Sequence, residues 1–332
     1  MNDLNHYQEK YLTALAGELR KFIKNTIPDS LLEMKDIFSY HLSLDKSGGK
    51  RIRPLLLLLC AEGAGGNWEH AMPAAAAIEL VHNFSLIHDD IEDKGEFRRG
   101  KRAVWVKWGL EKGLNAGDAM FTASFKSLAN LDKYYENEIV QDSYRIFVDT
   151  CLELTFGQHL DIDFENRSEV LAEEYYEMIN YKTAALIASS SRIGALLAGK
   201  EKTQQEIYME FGRHLGIAFQ IYDDWLGVWG DPEKTGKSAS SDIVEGKKSL
   251  PIILGINASD EFRSLWSDRE TRRSELKQQV ELLTKAGVEN EVLHQCKIHT
   301  TDALAYLDKT DCTQEMKLIL RELTSKLLIR RK

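Results

Sequence analysis

Residues 207–222 read IYMEFGRHLGIAFQIY. Apolar side chains recur at Ile207, Phe211, Leu215, Phe219 and Tyr222, the three-to-four-residue spacing that lines up one face of an α-helix. No stretch of useful length shows the strict alternation of a half-buried strand. The chain holds five prolines, and none lies between Pro73 and Pro232. Proline removes a backbone donor and clashes inside a helix, so so long a proline-free run favours helices. The pattern predicts an all-α fold, one domain over residues 1–332. Ser47 to Gly49, Gly63 to Gly66 and the stretch from Gly227 to Gly246 read as loops.

A chain of 332 residues can bury about 75% of its unfolded surface, enough for a core without a disulfide or metal staple. With 43% hydrophobic and 29% charged residues, disorder and collagen-like repeats are excluded. The 43 basic residues are outnumbered by 52 acidic ones, net −9, which argues against nucleic acid as a partner because that needs a basic footprint. Cys60, Cys151, Cys296 and Cys312 form no CxxC pair and read as buried or free thiols of a reducing compartment. The opening MNDLNHYQEKYL has no signal-peptide core, and the run Leu55 to Leu59 is too short to span a bilayer. A cytoplasmic protein with no transmembrane segment is expected.

The first chemically pointed segment is ELVHNFSLIHDDIEDKGEFRRGKR, residues 79–102. On a helix, Asp89 and Asp93 lie one turn apart on one face, their side-chain bases about 5–6 Å apart. Two carboxylates so placed repel unless a cation or proton sits between them. His82 falls two turns earlier on nearly the same face. Oxygen donors alone suit a hard ion such as Mg²⁺, which takes one or two carboxylates and completes its shell with water and substrate phosphates. No Cys or His cluster has zinc spacing. A solvated acidic face is the plainer account of the aspartates alone, but Arg98-Arg99 follow five residues after Asp93. Acid followed by base can grip a phosphate from both sides.

A second segment, FQIYDDWLGVWGDPEKTGKSASSDIVEGKKSLP, repeats the logic: Gln220, Asp223 and Asp224 within a helical turn, then Lys234, Lys237, Lys247 and Lys248. Two acidic pairs, each followed by bases, are expected to face one another across a cavity and hold several Mg²⁺ ions and one diphosphate. A third feature, Ser47-Gly48-Gly49-Lys50-Arg51-Ile52-Arg53-Pro54, puts three cations within four residues. It is not a P-loop. Cations are disfavoured at a helix start, and that misfit points towards a bound anion.

In combination and order, GGKRIRP, HDDIED with RRGKR, GQHLDIDFE, YKTA, FQIYDD and DIVEGKKSLP resemble the trans-isoprenyl diphosphate synthases, the polyprenyl synthetase family, from about Gly48 to Pro251, and within it the bacterial geranylgeranyl diphosphate synthases most. The resemblance implies antiparallel helices around a deep central cavity and a homodimer. It implies Mg²⁺-dependent head-to-tail condensation of an allylic diphosphate (dimethylallyl, geranyl or farnesyl) with isopentenyl diphosphate. Carried over, Asp89 and Asp93 resemble the metal ligands of the family's first aspartate motif, with Asp90 supporting, and Asp223 and Asp224 those of the second. Lys182 joins these aspartates among the catalytic groups. Lys50, Arg53, His82 and Arg99 match positions that hold isopentenyl diphosphate. Arg98, Lys182, Thr183, Gln220, Lys237 and Lys247 match those that hold the allylic diphosphate.

One departure stands out. The family's second motif is usually DDxxD, but here position 227 is glycine, and Asp231 lies too far along the chain to share an ion with Asp223 directly. The expected product is geranylgeranyl diphosphate, C20, with farnesyl diphosphate, C15, as the alternative. Product length is expected to be set by Phe84 and Ser85, just ahead of Asp89, where bulk in the resembling family goes with short products. Phe84 reads equally well as an ordinary core aromatic. A terpene cyclase would not need Lys50, Arg53 and His82, and only Gly227 favours a non-catalytic prenyl-diphosphate-binding or regulatory subunit.

Overall fold

The computed structural model describes residues 3–44, 50–231 and 240–328. The chain is all-α, as its periodicity predicts. The helices in chain order are α1 (Leu4–Thr26), α2 (Leu32–His41), α3 (Ile52–Gly63), α4 (Met72–Glu92), α5 (Val104–Trp108), α6 (Leu110–Ala129), α7 (Asn137–Asn166), α8 (Ala172–Ile179) and α9 (Ala185–Leu197). They continue with α10 (Lys202–Trp229), α11 (Ser241–Glu245), α12 (Leu250–Ala258), α13 (Asp260–Ser267), α14 (Arg269–Ser274), α15 (Leu276–Lys285), α16 (Val288–Lys309) and α17 (Gln314–Leu328). The only strands among the described residues are β1 (Phe97–Arg98) and β2 (Lys101–Arg102), a minimal antiparallel hairpin. The described residues fall into two compact units, one drawn from 1–148, 189–206 and 311–320, the other from 149–188, 207–310 and 321–328.

Local chemistry explains the elements of the first unit. The Asp3 side chain accepts from the His6 N–H and opens α1, satisfying one of the orphan donors of a helix start. Leu4, Tyr7, Tyr11, Leu15, Leu19 and Phe22 form its buried stripe, and the chain turns extended at Ile27, just before Pro28. In α3, Leu55 to Leu59 are all fully buried. A helix apolar on every side needs neighbours on every side, and α1 and α4 are among them. Pro73 sits in the first turn of α4, where its missing N–H has no partner to lose. Ala74 to Ala77 are buried, and α4 lies along α6. Gly117 of α6 leaves room for the His88 ring, which any Cβ there would strike.

In the second unit, Phe211, Leu215 and Tyr222 of the stripe read from the sequence are buried on α10, while Ile207 and Phe219 are partly exposed. The helix continues through Gly227 to Trp229, so the loop expected to begin at Gly227 begins later. Between α8 and α9, Asn180–Ala184 form one π-helical turn. Two glycines accommodate it. A Cβ at Gly157 of α7 would strike the Lys182 backbone, and one at Gly216 of α10 would lie 2.6 Å from the Ala184 Cα. Such turns recur where a helix must re-aim side chains, and this one carries Lys182 and Thr183.

Candidate active site

In the first unit, α4 delivers Asp89 and Asp90 in its final turn, and Asp93 is the residue that ends it. The Asp93 N–H donates to the Asp89 carbonyl at 2.8 Å, so helical spacing holds through both aspartates. With Glu92, four carboxylates crowd the negative end of a helix dipole, where cations are favoured and anions are not. Asp90 is buried and takes the Arg98 Nε at 2.7 Å. Burial pushes its carboxyl up, and Arg98 opposes the rise.

Arg98 reaches Asp90 because β1 and β2 are joined by Arg99-Gly100, with φ of 52° and 71°. Two successive positive φ values mark the type I′ turn that suits a two-residue hairpin. A non-glycine residue there is strained by about 1–2 kcal/mol, and strain of this kind clusters at functional sites. The hairpin cations Arg98, Arg99, Lys101 and Arg102 line a pocket with Tyr40, His41 and Ser43.

Beside them, Arg53 Nη1 lies 3.2 Å from His82 Nε2. Burial lowers the His82 pKa far below its usual value, and Arg53, Arg99 and Arg98 lower it further. His82 is therefore neutral and accepts from Arg53. Burial, with help from Arg99 and Arg98, drives His41 down to about 3.

Arg51 departs from the expectation of a bound anion. It starts α3 in a left-handed conformation, φ 42° and ψ 47°. Its Nη2 donates to the Leu42 carbonyl at 2.9 Å, and its Nε lies 3.6 Å from the buried Glu79 carboxylate. The misplaced cation is answered from within the protein. Lys50 and Arg53, its neighbours, remain the candidates for substrate.

The ring of Phe84 begins an aromatic ladder. Centroids lie 4.6 Å apart for Phe84 and Phe121, 5.1 Å for Phe121 and Phe125, and 5.3 Å for Phe125 and Phe147. Ser85 turns its hydroxyl back onto the His82 carbonyl at 2.9 Å.

The second unit holds its own open pocket of about 140 Å³, lined by Asp161, Tyr175, Lys182, Thr183, Gln220, Asp223, Asp224, Asp242, Lys247 and Lys248, among others. A relay runs through it. The Thr183 hydroxyl donates to Gln220 Oε1 at 2.7 Å, and Gln220 Nε2 donates to Asp224 Oδ1 at 2.8 Å. The other Asp224 oxygen accepts from the Tyr175 hydroxyl at 2.6 Å and the Leu250 N–H at 3.2 Å. These donors favour the charged form, but burial and then Asp242 push the Asp224 carboxyl upwards. Lys182 Nζ meets Asp161 Oδ2 at 2.5 Å.

The sequence reading thus finds Lys182, Thr183, Gln220, Asp223, Asp224 and Lys247 in one pocket. The trailing base Lys248 lies there too, while Asp161, Tyr175 and Asp242 were missed. Asp161 and Asp242 both lie inside quoted motifs, GQHLDIDFE and DIVEGKKSLP, which was the available signal. Lys248 donates to the Phe164 carbonyl at 2.6 Å, capping the end of α7 as a basic residue can. Lys237 and Lys234 lie outside the described residues.

The donor set tests the fit of a hard divalent ion. Each unit offers carboxylate oxygens beside lysine or arginine, the chemistry that suits Mg²⁺ with a phosphate ligand. Neither aspartate bank brings three donor atoms together within 4.8 Å; among the described residues only His214, His299 and Asp302 do so. Sparse protein donors suit Mg²⁺, which keeps several waters. In the histidine group, the two Nδ1 atoms lie 3.0 Å apart, a separation that one imidazole donating to the other accounts for.

The sequence pattern of the polyprenyl synthetase family matches residues 33–285. Over 252 residues the chain is 41% identical to the short chain isoprenyl diphosphate synthase of Methanothermobacter thermautotrophicus, covering 76% of this chain and 75% of that one. It is 42% identical over 227 residues to the (2E,6E)-farnesyl diphosphate synthase of Mycobacterium tuberculosis, covering 66% and 62%. A crystal structure of a geranylgeranyl pyrophosphate synthase superposes with a TM-score of 0.90 at 32% identity, covering 100% of both chains. Two aspartate-bearing helices with cations beside each, on an all-α fold shared over its whole length with such an enzyme, lead to one conclusion: the chain belongs to the polyprenyl synthetase family and is a prenyltransferase.

Proposed function

We propose that the chain condenses isopentenyl diphosphate head-to-tail with an allylic diphosphate to give geranylgeranyl diphosphate. The observation that carries this reading is that carboxylates and cations are paired in both units, which is what handling of diphosphate anions with divalent ions requires. Mg²⁺ held by Asp89, Asp93 and Asp223 would supply charge neutralisation of the departing diphosphate. Arg98, Lys182, Lys247 and Lys237 hold the allylic diphosphate, and Thr183 and Gln220 orient it. As its C–O bond lengthens, negative charge gathers on the leaving oxygens, and cations already in place stabilise that charge without reorganising. Lys50, Arg53, His82 and Arg99 hold isopentenyl diphosphate so that its double bond attacks the allylic carbon. Neutral His82 accepts from Arg53 and keeps that guanidinium in one orientation. Water must be excluded, since it would capture the cation as an alcohol. The proton that ends the step leaves to the released pyrophosphate.

We further propose that both units act as one catalytic domain over 1–332, in the cytoplasm, as a homodimer. Leu152 and Phe156, one turn apart on α7, are 51% and 53% exposed, which supports the dimer because exposed apolar pairs invite a partner. No described helix is long and apolar enough to cross a membrane.

The Phe84–Phe121–Phe125 ladder supports a short product, since three rings in contact leave little depth for a growing chain. It equally favours farnesyl diphosphate as a second reading. Purified protein incubated with Mg²⁺, isopentenyl diphosphate and farnesyl diphosphate, followed by chromatographic sizing, decides. A C20 product is expected. Isopentenyl diphosphate left unconsumed would sink the synthase reading, and consumption only with shorter primers would make C15 the endpoint.

A further inference from the structure

Gly227 stands where the family's second motif ordinarily carries its third aspartate. Nothing in the backbone calls for glycine here. The residue lies within α10, at a φ that L side chains adopt readily, where glycine costs about 1 kcal/mol relative to alanine. What requires it is space. A Cβ at this position would lie 2.5 Å from Cγ and 2.6 Å from Oδ2 of Asp242. Asp242 comes from α11, fifteen residues further along the chain, and is buried. Its carboxylate lies where a side chain at 227 would begin, and it lines the same pocket as Asp223, Lys182 and Lys247.

We propose that Asp242 is the third carboxylate of the second aspartate bank, supplied by α11 into room that Gly227 leaves open. The inference rests on the functional reading above and deepens it: α11 brings a buried carboxylate to the place where a side chain at 227 would begin. Asp224 is engaged in anchoring: its two oxygens accept from Gln220, Tyr175 and the Leu250 N–H. A ligand bank built from two helices also ties α11, and Lys247 just after it, to the end of α10. The hypothesis of a non-catalytic subunit drew its support from Gly227, and this arrangement removes it.

The test moves the carboxylate. Full-length wild type, Asp242→Asn, Asp242→Ala, Gly227→Ala and the double variant Gly227→Asp/Asp242→Ala are compared in two assays. One is Mg²⁺-dependent binding of inorganic pyrophosphate by calorimetry; the other is turnover. Circular dichroism and thermal melting check that each is folded, and the isosteric Asp242→Asn serves if the alanine variant does not fold. Asp242→Asn should raise the Mg²⁺ concentration needed for half-maximal pyrophosphate binding by roughly 10–100-fold. Gly227→Ala should weaken binding by displacing the carboxylate. The double variant, which rebuilds DDxxD, should recover most of what Asp242→Ala loses. Unchanged Mg²⁺ dependence in Asp242→Asn, or a folded double variant no better than Asp242→Ala, overturns the assignment while wild-type activity leaves the enzyme reading standing. Wild type that neither binds Mg²⁺-pyrophosphate nor turns over brings down the enzyme reading and this inference together.

Discussion

Asp89-Asp90 and Asp223-Asp224 are the same dipeptide on two long helices, yet their surroundings differ. In the first pair, the second aspartate is held by a single cation, Arg98, carried on a strained hairpin turn. In the second pair, the second aspartate is held by neutral donors from three separate segments. In each, the leading aspartate is only partly buried and the following one is buried. The difference teaches a division of labour. The leading residue keeps part of its surface exposed, and the following one is anchored, electrostatically in one unit and by hydrogen bonding in the other.

Removing a leading aspartate should give the largest effect. Asp89→Ala and Asp223→Ala are each expected to lower turnover by at least about 10²-fold, the scale of losing one group that stabilises developing charge, with melting temperature nearly unchanged. Steady-state kinetics beside thermal melts check this, and near-normal rates in either variant would remove that residue from the site.

The following aspartates should separate on stability. Asp224→Ala strands three buried donors and should cost about 3 kcal/mol in chemical denaturation, since each unsatisfied group costs about 1–3 kcal/mol. Asp90→Ala breaks one partly exposed pair and should cost about 1 kcal/mol or less. Equal losses would show that the two anchors are not different in kind.

Acid provides a third comparison. His41 titrates near 3 in the folded chain and near 6.5 when unfolded. The unfolded chain therefore binds an extra proton between these values, and the folded protein loses stability as pH falls through that window. His41→Gln should remove this part of the slope in pH-dependent denaturation; an unchanged slope would mean that His41 is already protonated in the native state. The smallest effect on rate is expected from Phe84→Ala, which opens the aromatic ladder. Its signature is a longer product in the sizing assay, and an identical product distribution would discard Phe84 as the limit.

Much of this was legible in the residue order. Helical class followed from apolar spacing and the gap between Pro73 and Pro232, because both are local properties of the backbone. The aspartate banks and their trailing cations were visible because their members are close in sequence. The β1–β2 hairpin was not, since two-residue strands are too short for any alternation to show. Arg51 was misjudged for a related reason. Its partner Glu79 lies 28 residues away, and a cation at a helix start looks like an anion site until that carboxylate is placed.

The sequence by itself determined the helices, the charge pattern and the family, because hydrophobic period and short motifs are written in consecutive residues. Tertiary structure alone decided who answers whom. Asp242 occupies the space beside Gly227, Tyr175 holds Asp224, and Gly157 and Gly216 flank the turn that presents Lys182. Those pairings depend on van der Waals room and hydrogen-bond direction between segments distant in the chain, and no local rule encodes either.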